Sequence, residues 1–241
     1  DTDFVFTCQE EVGCRGAAGA AFRLMPDIGL ALEGTTANDM GDTPAVHHVC
    51  RVGQGTTVSF MDNASIANPE LFRDMLALAQ KEGIPHQVKM SVSGGNEGGT
   101  MQRTGAGVRP AATSTARLPY APRRISRRST AWPRHFWRNK RRGAFSMFEL
   151  IRQLVNLYGA TGREADVADA VEALVKDHVD SIRRDALGNL ICEKRGTDPD
   201  GKRIMLSAHM DHIGFIVVAV EKEGFLRVMP VGGVGLAVSR T

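Results

Sequence analysis

Two hydrophobic periods alternate along the chain. Asp3 to Cys8 is a short, mostly apolar run, which predicts a strand buried in a sheet. Gly16 to Met25 is alanine-rich and predicts a helix. Asp27 to Leu32 predicts a second strand, ending in the turn-rich Glu33-Gly34-Thr35-Thr36. A further helix starts at Asn68, a good N-cap, with Pro69 in the first helical position. Its apolar stripe is Leu71, Phe72, Met75, Leu76 and Ala79, and Gly83 is its stop. His86 to Val92 predicts a strand, followed by a glycine-rich loop from Gly94 to Gly99.

The pattern vanishes from 109 to 146 and returns at Met147. Phe148 to Tyr158 predicts a helix. Thr161-Gly162-Arg163-Glu164 has the form of a capping box for the next helix, which carries Val167, Val171, Leu174 and Val175 on one face. Ser181 to Glu193 predicts a hairpin around Ala186-Leu187-Gly188-Asn189, Arg203 to Ala208 a strand, and Phe215 to Met229 a hairpin turning at Glu221 to Gly224. Both flanking segments mix strands and helices, which predicts an α/β layer architecture. The chain divides into segments 1–108, 109–146 and 147–241.

The 241 residues are 42% hydrophobic, enough to bury a sizeable core, and no apolar run reaches membrane-spanning length. The chain opens on Asp1-Thr2-Asp3 with no signal peptide. Phe4-Val5-Phe6 already reads as a core strand, so preceding residues are expected to be missing. Four cysteines without Cys-x-x-Cys spacing argue against a disulfide framework and a zinc–cysteine site, leaving a reducing cytoplasm as the default. The net charge of +3 hides an asymmetry: no acidic residue lies between Glu97 and Glu149, an interval rich in arginine and holding Trp132 and Trp137. This middle segment has the composition of a disordered basic junction. Arginine with interleaved aromatics also suits nucleic-acid binding, but no named nucleic-acid module is present.

Three places carry candidate chemistry. His209 closes a strand, where an imidazole can ligate zinc, and Asp211 two residues on can orient it; a lone His-x-Asp is more often structural. Glu10 and Glu11 follow an apolar strand. Burying either needs a partner or a metal, and both can serve one site only where the strand ends; a solvated loop is the bland alternative. Glu33 closes another buried strand, where open α/β sheets place their sites, or else is an ordinary turn cap. The Gly94 to Gly99 loop lacks the Lys-Ser or Lys-Thr of a phosphate loop. Paired carboxylates suggest a glycan hydrolase as an alternative, but adjacent glutamates are poorly placed to flank a sugar.

These fragments resemble the glutamyl aminopeptidase family of cytosolic dinuclear metallopeptidases. The matching stretches are Phe4 to Gly13, Ala31 to Thr36 and Ser93 to Gly99, then Arg184 to Leu190, Ala208 to Gly214 and Pro230 to Val234. The resemblance implies a three-layer α/β catalytic domain that releases N-terminal residues from peptides with two divalent metal ions, zinc or cobalt. It implies that Glu10 is the general base, that Glu11 ligates one metal, that Glu33 and His209 ligate the other, and that Asp211 supports His209.

The family's motifs stand in reverse order here. Its C-terminal motifs fall within 1–108 and its N-terminal motifs within 147–234. The inserted oligomerisation domain and the Asp bridging both metals are absent. The final His is also missing, since Arg117 to Pro122 holds none and His135 sits in no matching context. A junction of two neighbouring family genes, out of frame across the basic segment, explains this better than circular permutation, which keeps the middle. The expectation is an incomplete metal site with weak or no activity, a peptide substrate, no membrane association, no nucleic-acid partner and none of the family's homo-oligomer.

Overall fold

The computed structural model describes residues 1–104, 109–117 and 147–234, with 109–117 described by backbone alone. The expected composition of 118–146 as a junction, with Trp132, His135 and Trp137, lies outside the described residues.

The strands are β1 (Thr2–Thr7), β2 (Ile28–Thr36), β3 (Thr56–Ser59), β4 (His86–Val88), β5 (Arg109–Arg117), β6 (Ser181–Arg184), β7 (Leu190–Lys194), β8 (Ile204–His209), β9 (Gly214–Val220) and β10 (Leu226–Val231). The helices are α1 (Arg15–Leu24), α2 (Pro69–Lys81), α3 (Glu97–Arg103), α4 (Met147–Val155) and α5 (Ala165–Val175). Eight strands form one mixed sheet in the order β4-β3-β5-β2-β8-β1-β7-β6, and β9 and β10 form a separate ribbon. Strand β8 lies between β1 and β2 and runs parallel to both. Strands from both ends of the sequence therefore share the sheet centre.

Strand alternation decides which helices cover which face. Val5, Ala31, Ile191 and Met205 cluster with Ala17, Ala20 and Leu24 of α1 and Met101 of α3. On the other face Leu190 and Cys192 pack against Val167, Ala168 and Val171 of α5, with Phe4, Phe6 and Leu154 alongside. Leu30 and Val58 meet Met75 of α2, with Leu206 beside them. The result is helices on both faces of a mixed sheet, the α/β layering the pattern predicts.

The α2 cap forms as expected. The Asn68 side chain accepts from the backbone N–H of Glu70 and Leu71, and Gly83 follows the helix at φ 62°. Elsewhere tertiary pairing moved the boundaries. Strand β2 continues through Glu33 to Thr36 instead of turning there, because β5 stays in register with it to its end. Residues 109–117, read as the start of the junction, form that partner strand between β2 and β3. Small residues and threonines carry no periodic signal, but two hydrogen-bonded neighbours fix them as a strand. Strand β4 is confined to His86–Val88. The glycine-rich loop ends early, because Asn96 caps α3 by accepting from Gly98 N–H.

The capping box does not form: Glu164 caps α5 without a side-chain cap bond. Its buried carboxylate instead accepts from Gly162 N–H and Gln9 N–H, at 2.8 and 3.0 Å. It thereby ties the α5 entry to the segment behind β1.

Candidate metal centre

The carboxyl ends of β1, β2 and β8 meet at one edge of the sheet. Thr7 is level with His209, and Ala31 is level with Ser207, so Glu33 arrives beside His209 two residues later. After Thr7 the chain leaves the strand. Gln9 adopts a left-handed conformation at φ 58°, and the Glu10 carbonyl accepts from Gly13 and Cys14 N–H, at 2.9 Å each. This corner releases Glu10 and Glu11 from strand alternation. Gly232 packs against it at φ 78°; a Cβ there would lie 3.0 Å from the Glu11 Cβ.

The carboxylate of Asp211, 4% exposed, holds the corner from beneath. Its Oδ1 accepts from Glu10 N–H at 2.9 Å, and its Oδ2 from Glu11 N–H at 3.2 Å and from the Thr161 hydroxyl at 2.9 Å. Burial would raise the Asp211 pKa, but His209 and these donors hold it below the ordinary carboxylate range.

His209 Nδ1 lies 2.9 Å from the Asp211 carbonyl oxygen and 3.4 Å from its carboxylate, which fixes the proton on Nδ1. Its Nε2 faces Glu33 Oε1 at 3.2 Å. Burial would depress the His209 pKa, but Asp211, Glu33 and the charge of Glu10 overcome it and raise it to about 11. The carboxylates thus gather around a single cationic ring. Burial raises the Glu10 pKa, opposed by His209 and by the Cys14 thiol, which donates to Glu10 Oε1 at 3.3 Å.

Glu10, Glu11 and His209 each offer a ligand atom within 4.8 Å of the others. Glu33 joins them through His209, and the imidazole atom left for a ligand role is Nε2. Carboxylates with one imidazole fit a divalent metal ion. All five residues singled out in the sequence sit at this edge: Glu10, Glu11 and His209 within ligand distance of one another, Glu33 against His209, and Asp211 behind them. His212 turns away, its Nδ1 against the Ile213 carbonyl oxygen.

Sequence reasoning missed Glu97. It is 1% exposed and accepts hydrogen bonds from the hydroxyls of Thr7 and Ser207, directly below the donors. The Asn96 cap was the available signal. Burial raises the Glu97 pKa from 4.5 to about 7 against the pull of its two hydroxyl donors and His209. The folded state therefore binds this proton more tightly than the unfolded chain. Its contribution to stability is complete below pH 4.5 and is lost as pH rises through about 7. In metal-free protein, the Glu97 contribution makes the melting temperature fall from pH 5 to 8. Glu97→Gln flattens that fall, and an unchanged slope would exclude Glu97 as its source.

The sequence pattern of the M42 glutamyl aminopeptidase family matches residues 1–118 and 188–240, most of the chain. The chain belongs to the M42 glutamyl aminopeptidase family. A relative from Acetivibrio thermocellus, named as a candidate aminopeptidase, is 43% identical over 36% of this chain and 26% of its own length. A lysyl aminopeptidase of Pyrococcus furiosus is 39% identical over 36% of this chain and 25% of its own. The match thus spans about a quarter of these M42 relatives. An aminopeptidase structure from Desulfurococcus kamchatkensis aligns with 45% of this chain and 31% of its own, at 29% identity and a TM-score of 0.44. No helix among the described residues is long and apolar enough to cross a membrane.

Proposed function

We propose that this chain carries part of the catalytic centre of a metal-dependent aminopeptidase. In this reading Glu33 and His209 hold a divalent ion, zinc or cobalt, Glu11 is the ligand left for a second, and Glu10 is the general base. The observation that carries it is the convergence of three carboxylates, Glu10, Glu11 and Glu33, on the half-buried imidazole of His209 from three strand ends. When bound, such an ion supplies the charge that acidifies a water and polarises a peptide carbonyl. The chain's own residues do the rest. Glu10 takes the proton at its carboxylate, whose pKa burial raises, and returns it to the leaving amine. The Cys14 thiol orients that carboxylate, and Asp211 keeps the His209 proton on Nδ1.

A cleft of about 380 Å³ is lined by Glu33, Thr35, Thr36, Ser59, Lys89 and Gly94. Burial lowers the Lys89 pKa, opposed by Asp62. The Asp62 carboxylate is already engaged by Ala64, Ser65 and Asn96. Lys89 Nζ donates to the Ser93 carbonyl oxygen, which fixes a cation among the lining residues and favours an acidic side chain on the N-terminal residue of a peptide.

In this reading the second metal position retains, among the described residues, Glu11 alone, too few ligands for a normal site. The chain is accordingly read as a C-terminal part of one catalytic domain, 1–108 with β5 continuing it to 117, a basic junction over the rest to 146, and an N-terminal part of a second copy, 147–241. The position of β8 between β1 and β2 supports the two parts folding together. Calorimetric titration of the metal-free protein is expected to show one zinc per chain, with slow, chelator-sensitive release from a glutamyl anilide. Two equivalents per chain would overturn the incomplete site; no uptake at all would overturn the metal centre.

A further inference from the structure

The donors belong to segments far apart in sequence, so something must fix their spacing before an ion arrives. Thr7 stands three residues before Glu10, and Ser207 two before His209. Both are fully buried, on adjacent parallel strands, and alternation puts both side chains on the α3 face. There the two hydroxyls donate to the two oxygens of one carboxylate, Thr7 to Oε1 and Ser207 to Oε2 of Glu97. Glu97 opens α3, whose start is fixed by the Asn96 cap. Gly99 packs the same helix against the 62–65 turn, where a Cβ would lie 2.5 Å from the Ala64 carbonyl oxygen. The carboxylate is therefore held from its own side and cannot drift with either strand.

We propose that Glu97 is the positioning residue that sets the distance between the Glu10–Glu11 corner and His209 by clamping β1 to β8. The inference rests on those residues forming a metal centre. One carboxylate accepting two hydroxyls is specific to this task. A hydroxyl in either strand left without its acceptor in this dry setting would seek another, and the strand ends would shift with it. A buried carboxyl group is also an expensive choice for mere packing, since an apolar side chain would fill the same space without desolvating a polar group.

Two variants test it in the full chain: Glu97→Gln, and the double substitution Thr7→Val with Ser207→Ala. Each is expected to weaken zinc binding roughly 10- to 100-fold, the effect of losing an outer support of a ligand. Each is also expected to shift the cobalt d–d absorption. In the metal-free protein, amide exchange at Glu10 and Glu11 should accelerate about tenfold or more while β6 and β7 are unchanged. Zinc affinity and corner exchange within about twofold of the parent in both variants would overturn the proposal. Faster exchange spread evenly over the sheet would overturn it too, by showing Glu97 to be a general stabiliser. If the parent takes up no zinc, the metal reading falls, and the exchange measurement alone decides the clamp.

Discussion

His209→Ala is expected to abolish measurable zinc binding, a loss beyond the roughly 100-fold upper range for outer supports of a ligand. His209 is the one imidazole in the cluster, and Glu10, Glu11 and Glu33 gather around it. Its Nε2 sits 3.2 Å from Glu33 and its Nδ1 is held by Asp211. Without the ring, Glu33 loses its link to the Glu10–Glu11 corner, and the remaining carboxylates repel one another across a half-buried edge. Asp211→Asn is expected to cost less, because the amide can still contact the ring but loses the charge that holds the corner N–H groups. Isothermal titration of the metal-free variants with zinc checks the order. Retained affinity in the alanine variant would remove His209 from the centre.

Gly16→Ala is expected to destabilise the protein by about 3 kcal/mol, combining overpacking with damage to buried hydrogen bonds. A Cβ at Gly16 would lie 2.5 Å from the Cys8 carbonyl oxygen and 2.7 Å from its nitrogen, and would overlap Asn189 Oδ1. Neither obstacle is free to move. Gly16 N–H donates to Cys8 O at 3.0 Å, and Asn189 is fully buried. The Asn189 amide accepts from Cys8 N–H at 2.9 Å and donates to Gly16 O at 3.0 Å. That amide stitches the start of α1 to the β6–β7 hairpin, two segments from opposite ends of the sequence. For a chain of this size the loss corresponds to roughly 6–12 °C in melting temperature. A shift under about 2 °C would show that the helix start can back away from Cys8.

The sequence declared its local elements wherever a mechanism was complete in a few residues. Asn68-Pro69 and Gly83 bounded a helix because cap, first position and stop lie on one segment. The hairpins at 181–194 and 214–231 followed from turn residues between apolar runs. Errors fell where a distant partner decided. Thr161 and Glu164 have the spacing of a capping box, yet their oxygens go to Asp211 and Gln9 N–H. Strand β2 outlasted its turn signal because β5 lies beside it. Glu97 stayed hidden in a glycine-rich stretch because only folding brings Thr7 and Ser207 to it.

The sequence by itself determined which acidic and imidazole groups close its strands: two glutamates after one strand, a glutamate on a second, and a histidine with an aspartate at the end of a third. It also determined that strands and helices alternate, which commits the chain to layers. Only the tertiary structure decided that β8 would lie between β1 and β2. That placement brings His209 to Glu33 across 176 residues and puts both beside the Glu10–Glu11 corner. The physical reason is that strand order is set by burying both faces of the whole sheet at once, with α1 and α3 on one side and α2 and α5 on the other. No local period encodes which strand will be the neighbour.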